Sequence, residues 1–311
     1  MSEKELIKRL IEKLPSNSGT IQGAGDDCAI VRSAGPEWET LLKVDTVVEG
    51  VHFTREDAPE RVGRKALARC LSDIAAMGGE PDSALVAVGL PSVDSAPFVE
   101  AAYEGLTALA AEFGVAVVGG ETSRNPGGLF LSVTLTGRVP RGGGVRRQGA
   151  RVGDAIFVSG HLGGSSTGHH FDFTPRVKEA LWLVGHTQVH AMIDLSDGLV
   201  TDLGHVNRAS GVGAFLDETF LPISRTAKMR AREDAAAKSP LLSALTDGED
   251  FELLFTVARS EAVRVKDGWR EAFPETPLSL IGRIEEQPGI RLKQADGVRA
   301  LGGVDGYDHF Q

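Results

Sequence analysis

Apolar residues recur along this chain with two periods, and the switches between them outline its elements. Leu6, Ile7, Leu10, Ile11 and Leu14 fall at helical spacing before Pro15, which predicts a helix over 3–14. Thr40 to Val48 reads as a strand, and residues 60–77 as a helix with Ala66, Leu67, Cys70, Leu71, Ile74 and Met77 on its apolar side. Next come a strand over Ala84 to Leu90, a helix over Pro97 to Phe113, and a strand over Val115 to Val118 that closes at Gly119-Gly120-Glu121-Thr122. Leu129 to Val139 alternates like a half-exposed antiparallel strand. Arg141-Gly142-Gly143-Gly144 is the best linker candidate. Beyond it, strands are expected over 155–158, 215–220, 251–257 and 278–284, with a helix over 261–273. Strands and helices alternate in both halves, so the expected class is α/β (α+β) in two domains.

One stretch organises the rest: Met192-Ile193-Asp194-Leu195-Ser196-Asp197-Gly198-Leu199-Val200. An apolar strand stops at an Asp-x-Ser-Asp-Gly turn and a helix begins. Ser196 or Asp197 could simply cap that helix. Repetition points further, because Asp26-Asp27 after Gly25, Asp45 in Thr40 to Val48, Ser72-Asp73, Glu121 after Gly119-Gly120, and Glu249-Asp250 after Gly248 all place carboxylates beside strand ends or glycines. Asp73 lies among apolar residues, where an unpaired carboxylate is costly to bury. Carboxylates so gathered repel one another unless cations lie between them, and hard divalent cations take oxygen ligands. Ser159-Gly160-His161-Leu162-Gly163-Gly164-Ser165-Ser166-Thr167-Gly168 after a strand either offers backbone N–H groups to phosphate or is a flexible surface loop. No GxxxxGK[ST] P-loop occurs in the chain. His169-His170 and His186 with His190 read as surface histidines, since zinc would need further ligands nearby.

Composition narrows the function classes. With 311 residues, 41% hydrophobic and 24% charged, the chain has the make-up of a globular protein. A net charge of -10 argues against a nucleic-acid surface. No apolar run is long enough to span a bilayer and no signal peptide is visible, so no membrane association and a cytoplasmic location are expected. Cys28 and Cys70 form no CxxC pair and read as small buried hydrophobes in a reducing compartment.

Taken in order, Gly25-Asp26-Asp27, Leu71-Ser72-Asp73-Ile74-Ala75-Ala76-Met77-Gly78, Gly119-Gly120-Glu121-Thr122, Asp194-Leu195-Ser196-Asp197-Gly198-Leu199, Gly248-Glu249-Asp250-Phe251-Glu252-Leu253 and Tyr307-Asp308-His309-Phe310 resemble the thiamine-monophosphate kinase family. That family lies in the superfamily of aminoimidazole-ribonucleotide synthetase and selenophosphate synthetase. The resemblance implies ATP- and magnesium-dependent phosphorylation of thiamine monophosphate to thiamine diphosphate. It implies an N-terminal domain, 1–140, that binds ATP and metal and lends strands to the β-barrel of a homodimer, and a C-terminal α/β domain, 141–311. On it, Asp27, Asp45, Asp73, Glu121, Asp194 and Asp197 match positions that hold several Mg²⁺ ions. Tyr103, Gly120, Glu121, Arg147 and Ser196 match ATP contacts, and His52, Glu249 and Phe310 match positions near thiamine.

The chemistry is coherent with those residues. The acceptor oxygen belongs to a phosphate already ionised near neutral pH, so no general base is required. What remains is charge neutralisation and in-line positioning, which magnesium held by carboxylates supplies. The chain also departs from the family. Lys43-Val44 stands where Ser/Thr-Thr is usual, Glu121 and Gly164 stand where Asp is usual, and the His-x-x-Pro-x-Pro-Arg segment before Asp194 is missing. Lys43 either lends its ammonium to part of one magnesium ion's role or is turned to solvent by strand alternation. The alternatives are another ATP-dependent enzyme of the superfamily or a catalytically weak metal- or nucleotide-binding homologue. The selenophosphate version needs a reactive Cys or selenocysteine near the N-terminus, and Cys28 follows the Asp pair instead.

Overall fold

The architecture turns on one helix, α1 (Pro59–Ala76), which is buried from Val62 to Ala76 over most positions, the charged Lys65 and Asp73 included. Pro59 pre-sets its first turn. A helix of this kind must be covered on more than one side. The structure is a computed structural model that describes residues 18–301 apart from Ala24, Ala34 and Ala235. The helix expected over 3–14 and the aromatic tail with Phe310 lie outside the described residues.

On one side of α1 lies a six-stranded sheet in the order β1 (Thr20–Gln22), β2 (Ala29–Arg32), β3 (Trp38–Val48), β6 (Phe130–Pro140), β4 (Glu80–Leu90), β5 (Ala116–Arg124). Only β4 and β5 run parallel. Beside α1 packs α2 (Ala96–Phe113). The crossing is close enough that a Cβ on Gly63 would meet the Ala102 carbonyl oxygen at 1.7 Å, so only glycine fits there.

The second sheet has seven strands, β13 (Gly297–Ala300), β12 (Gly289–Gln294), β9 (Gly213–Asp217), β11 (Leu278–Glu285), β7 (Ala155–Ser159), β10 (Leu253–Val257) and β8 (Val189–Asp194), in that order. Its helices are α3 (His169–Asp172), α4 (Val177–His186), α5 (Leu199–Ser210), α6 (Arg225–Glu233), α7 (Pro240–Thr246) and α8 (Ala262–Ala272). α1 also touches α3, α4 and β8, so one apolar core runs from Leu67 and Leu71 through Met192 to Phe157, Phe255 and Trp269. A second core, around Ile193, Leu203, Leu216 and Leu254, lies on the other face of the second sheet. The mixed α/β class and the two-sheet organisation agree with the expectation. Among the described residues no helix is long and apolar enough to cross a membrane.

Three local expectations need correction. β5 does not stop at Gly119 but runs through Gly119-Gly120-Glu121 to Arg124, because pairing with Leu85–Leu90 of β4 holds glycines in an extended ladder. The strand over 215–220 ends at Asp217, whose carboxylate accepts the Thr219 N–H and opens a 3-10 turn. Neither Ser196 nor Asp197 occupies the N-cap of α5. That position is Gly198, and the Asp202 carboxylate, inside the helix, accepts the Asp197 and Gly198 N–H groups at 3.0 and 3.1 Å.

Candidate active site

Three segments far apart in sequence deliver carboxylates to one point. Asp27 lies in the turn between β1 and β2, Asp73 on α1, and Asp194 at the end of β8. All three are buried, and one oxygen from each lies within 4.8 Å of the others. Ser72 donates to Asp194 Oδ2 at 2.6 Å, and Arg147 Nη2 to Asp27 Oδ1 at 2.7 Å. The other oxygen of Asp27, Oδ2, is fully buried and has no hydrogen-bond partner among the described residues. A buried carboxylate oxygen left bare is costly unless something cationic meets it. Three convergent carboxylates, one of which keeps a bare oxygen, fit magnesium.

The electrostatics agree. Burial pushes the Asp73 carboxyl well up; Lys43 opposes this, while Asp194, Asp45 and Asp27 add to it. Burial and then Asp27 push Asp194 up to about 7, against the Ser72 hydrogen bond, Lys43 and Arg147. Burial and Asp27 raise Asp26 to about 6. Burial and mutual repulsion thus work against the charged forms of these groups, and a divalent ion among them favours the charged forms.

Lys43 is not turned to solvent. Strand alternation puts Glu39, Leu41, Lys43, Asp45 and Val47 on the face of β3 toward α1, and leaves Leu42, Val44 and Val48 exposed on the other. Its Nζ lies 2.8 Å from Asp73 Oδ1 and 3.6 Å from Asp45 Oδ2. Arg69 Nη2 approaches Asp45 Oδ1 at 3.5 Å. Burial works against the Lys43 charge, but Asp73 and Asp45 together push its pKa well up.

The remaining expected residues divide into those near this point and those apart. Asp197 forms a second acid group with Asp202 and His205 at the head of α5. Ser196 lies in a turn stitched to 248–252: its carbonyl accepts the Glu249 N–H at 2.8 Å, and Leu195 exchanges bonds with Glu252 and Phe251. Glu249 and Phe251 both adopt positive φ, 63° and 49°, a left-handed conformation rare for such side chains and a mark of local strain. His52 and Glu249 meet through Lys65, a fully buried residue that donates to the His52 carbonyl at 3.2 Å and to Glu249 Oε2 at 3.0 Å. Tyr103 is half-buried on α2 at the edge of the core. Glu121 and Gly120 lie on β5. The row Thr46–Ser132–Ala87–Glu121 runs across the outer face of the sheet, opposite Lys43, Asp45 and α1. Within one chain, therefore, Glu121 is separated from the acid cluster by the sheet.

The Gly-rich stretch is neither an open phosphate cradle nor a flexible surface loop. Asp250 accepts the Gly163 N–H at 2.9 Å and the Ser165 hydroxyl at 2.7 Å, and Asp247 accepts the Gly164 N–H at 3.1 Å. Leu162 to Ser165 is buried. The histidines also differ from a uniform surface set. His170 Nδ1 lies 2.7 Å from Lys65 Nζ, and the His190 side chain is buried against Asp154 at 2.8 Å. Lys65, Arg69 and Asp202 have no place in the sequence-based site, and His170, expected at the surface, joins Lys65 instead. A lysine inside an apolar run, as at Lys65-Ala66-Leu67-Ala68, is the one visible signal among them.

With this geometry in view, residues 25–139 match the family described as AIR synthase related protein, N-terminal domain. Thiamine-monophosphate kinase of Rhodopirellula baltica is 38% identical over 86% of this chain and 84% of its own. The enzyme of that name from Salmonella typhimurium is 36% identical over 99% and 98%. The chain belongs to the thiamine-monophosphate kinase family. A solved member, AaThiL complexed with AMPPCP and TMP, superposes with a TM-score of 0.82 at 33% identity, covering 99% of this chain and 97% of that one. Family membership thus extends through both sheets, beyond the N-terminal match alone.

Proposed function

We propose that the chain transfers the γ-phosphoryl group of ATP to the phosphate of thiamine monophosphate, giving thiamine diphosphate and ADP. The observation that carries this reading is the convergence of Asp27, Asp73 and Asp194 with one buried oxygen unpartnered, in a chain related end to end to thiamine-monophosphate kinases. Asp27, Asp73 and Asp194 hold magnesium, with Asp45 and Asp197 at the margins of the same site. Bound magnesium supplies charge neutralisation and alignment for two polyanionic substrates. Arg147, whose Nε has no hydrogen-bond partner among the described residues, is assigned to the transferred phosphates. Ser196 contacts nucleotide from the turn before α5. No residue is assigned as a base, because the acceptor phosphate is already ionised. His52 and Glu249, tied together by Lys65, border the thiamine end, and Phe310 is assigned there by resemblance.

Tyr103, Gly120 and Glu121 take up their nucleotide and metal roles across a homodimer. What supports this is the outer face of the first sheet, where Leu42, Val44, Leu85 and Val118 are 39%, 58%, 48% and 62% exposed. A face so apolar fits burial against a second copy, as in a dimeric barrel. We also propose the domain division at 140/141, and the separate sheets of β1–β6 and β7–β13 support it. A cytoplasmic location suits an ATP-using enzyme whose two cysteines are free and buried. Burial also pushes the Cys28 thiol well up, which speaks against a reactive-cysteine chemistry at that position.

The test is ADP release with thiamine monophosphate, with thiamine, and with no acceptor. Turnover is expected with the monophosphate alone. Phosphorylation of free thiamine at a comparable rate would require a base and would refute the assignment.

A further inference from the structure

Four carboxylates, Asp27, Asp45, Asp73 and Asp194, surround the proposed magnesium site, and three fixed cations, Lys43, Arg69 and Arg147, face them. They are not evenly spread. Lys43 and Arg69 flank the two oxygens of Asp45, and Lys43 reaches across to Asp73 Oδ1. Asp27 Oδ2 has no hydrogen-bond partner among the described residues. The oxygens able to converge on one ion are those of Asp27, Asp73 and Asp194, and Asp45 is not among them.

We propose that the Lys43 ammonium is a resident, covalently tethered cation that fills the Asp45–Asp73 side of this cluster in place of one divalent ion. The inference rests on the reading of the Asp27–Asp73–Asp194 side as a magnesium site. Space supports it first. Magnesium binds oxygen at about 2.1 Å, and the Lys43 nitrogen already lies 2.8 Å from Asp73 Oδ1. An ion bound on that line would overlap the nitrogen. Charge supports it second. Lys43 is the cation that Asp45 and Asp73 share, and replacing it by a neutral residue leaves Arg69, 3.5 Å from Asp45 Oδ1, as the cation against that pair among the described residues. Position supports it third, since Lys43 shares the α1-facing side of β3 with Asp45 two residues on. A serine there would present a hard oxygen to the same space.

Mn²⁺ is the probe, read as ions bound per full-length chain by electron paramagnetic resonance of the free ion and located by anomalous diffraction. In the unmodified protein, manganese is expected between Asp27, Asp73 and Asp194 and absent between Asp45 and Asp73. Lys43→Ser is expected to bind one more Mn²⁺ per chain, on Asp45 and Asp73, and to need more Mg²⁺ for half-maximal rate. An unchanged ion count in Lys43→Ser overturns the proposal. So does an ion bridging Asp45 and Asp73 in the unmodified protein with Lys43 swung aside, a result that needs no variant to fold. No manganese at Asp27, Asp73 and Asp194 in the unmodified protein overturns instead the magnesium reading beneath it.

Discussion

Two charged regions lie along one face of α1, and they are balanced in opposite ways. Lys65, Arg69 and Asp73 fall at successive i, i+4 positions, spanning about 12 Å of helix. At the Lys65 end the ammonium is fully buried and its three donors meet the His52 carbonyl, His170 and Glu249. At the Asp73 end carboxylates outnumber cations, burial pushes Asp73 and Asp194 up, and Asp27 keeps a bare oxygen. The first region is saturated and acts as a scaffold for the strained turn at Glu249. The second is left short of positive charge, which is what a site for cations and the phosphates they carry requires. Helix α1 fixes the distance between the two regions.

If the contrast is right, neutralising the open region costs rate and neutralising the saturated one costs stability. Asp73→Asn or Asp194→Asn is expected to lower kcat by about 10²- to 10³-fold, the range for removing one preorganised electrostatic group. Stability of the metal-free protein should hold or rise, since a buried like charge is gone. Wild-type turnover in either variant, measured as ADP release, would reduce these acids to structural roles.

Lys65→Met inverts that pattern. Deleting one member of a buried ion pair costs about 3–5 kcal/mol, and the lower end applies because the Glu249 side chain retains 31% exposure. Urea unfolding should show a loss of about 3 kcal/mol. Lys65→Met with Glu249→Gln should recover part of it, because neither partner is then left charged and alone. A double variant no more stable than the single one would deny the pairing.

How much of this was legible in the sequence follows from what each residue depends on. Asp27, Asp73 and Asp194 stand in local motifs at turns or in an apolar helix, so repetition of a local signal found them. Lys65 could not be read the same way, since its partner Glu249 is 184 positions distant and a lone lysine on a helix ordinarily faces water. Lys43 was half legible. Alternation tied it to Asp45, but both faces of β3 carry apolar residues, because Leu42, Val44 and Val48 form an uncovered outer row. Hydropathy therefore did not say which face turns inward. The face that Glu121 occupies was illegible for the same reason, its side of the sheet being set by pairing with β4. The Gly-rich loop was misread because the carboxylates that occupy its N–H groups, Asp247 and Asp250, lie 83 and 87 residues away.

The smallest expected effect sharpens the comparison by pH. Burial raises the Glu249 pKa, but the His170 hydrogen bond and the Lys65 charge outweigh it and bring it from the ordinary 4.5 down to about 2. Above pH 4.5 both folded and unfolded chains carry Glu249 charged, and its stabilisation is complete. Between 4.5 and 2 the unfolded chain takes up the proton and the folded one does not, so stability falls as pH falls through that window. In the range from pH 5 to 3, wild type should therefore lose stability faster than Glu249→Gln, which has no proton to take up at that position. Asp250, which binds the buried Gly-rich loop, slopes the other way: burial lifts it to about 7 against its Ser165 and Gly163 hydrogen bonds, so it favours the folded chain as pH drops from 7 toward 3.8. Asp250 is present in both proteins, so its contribution cancels in the difference between them. Denaturation midpoints of the two proteins, taken across pH 3 to 7, isolate the Glu249 contribution. Parallel curves would mean that Lys65 and His170 leave Glu249 an ordinary surface acid.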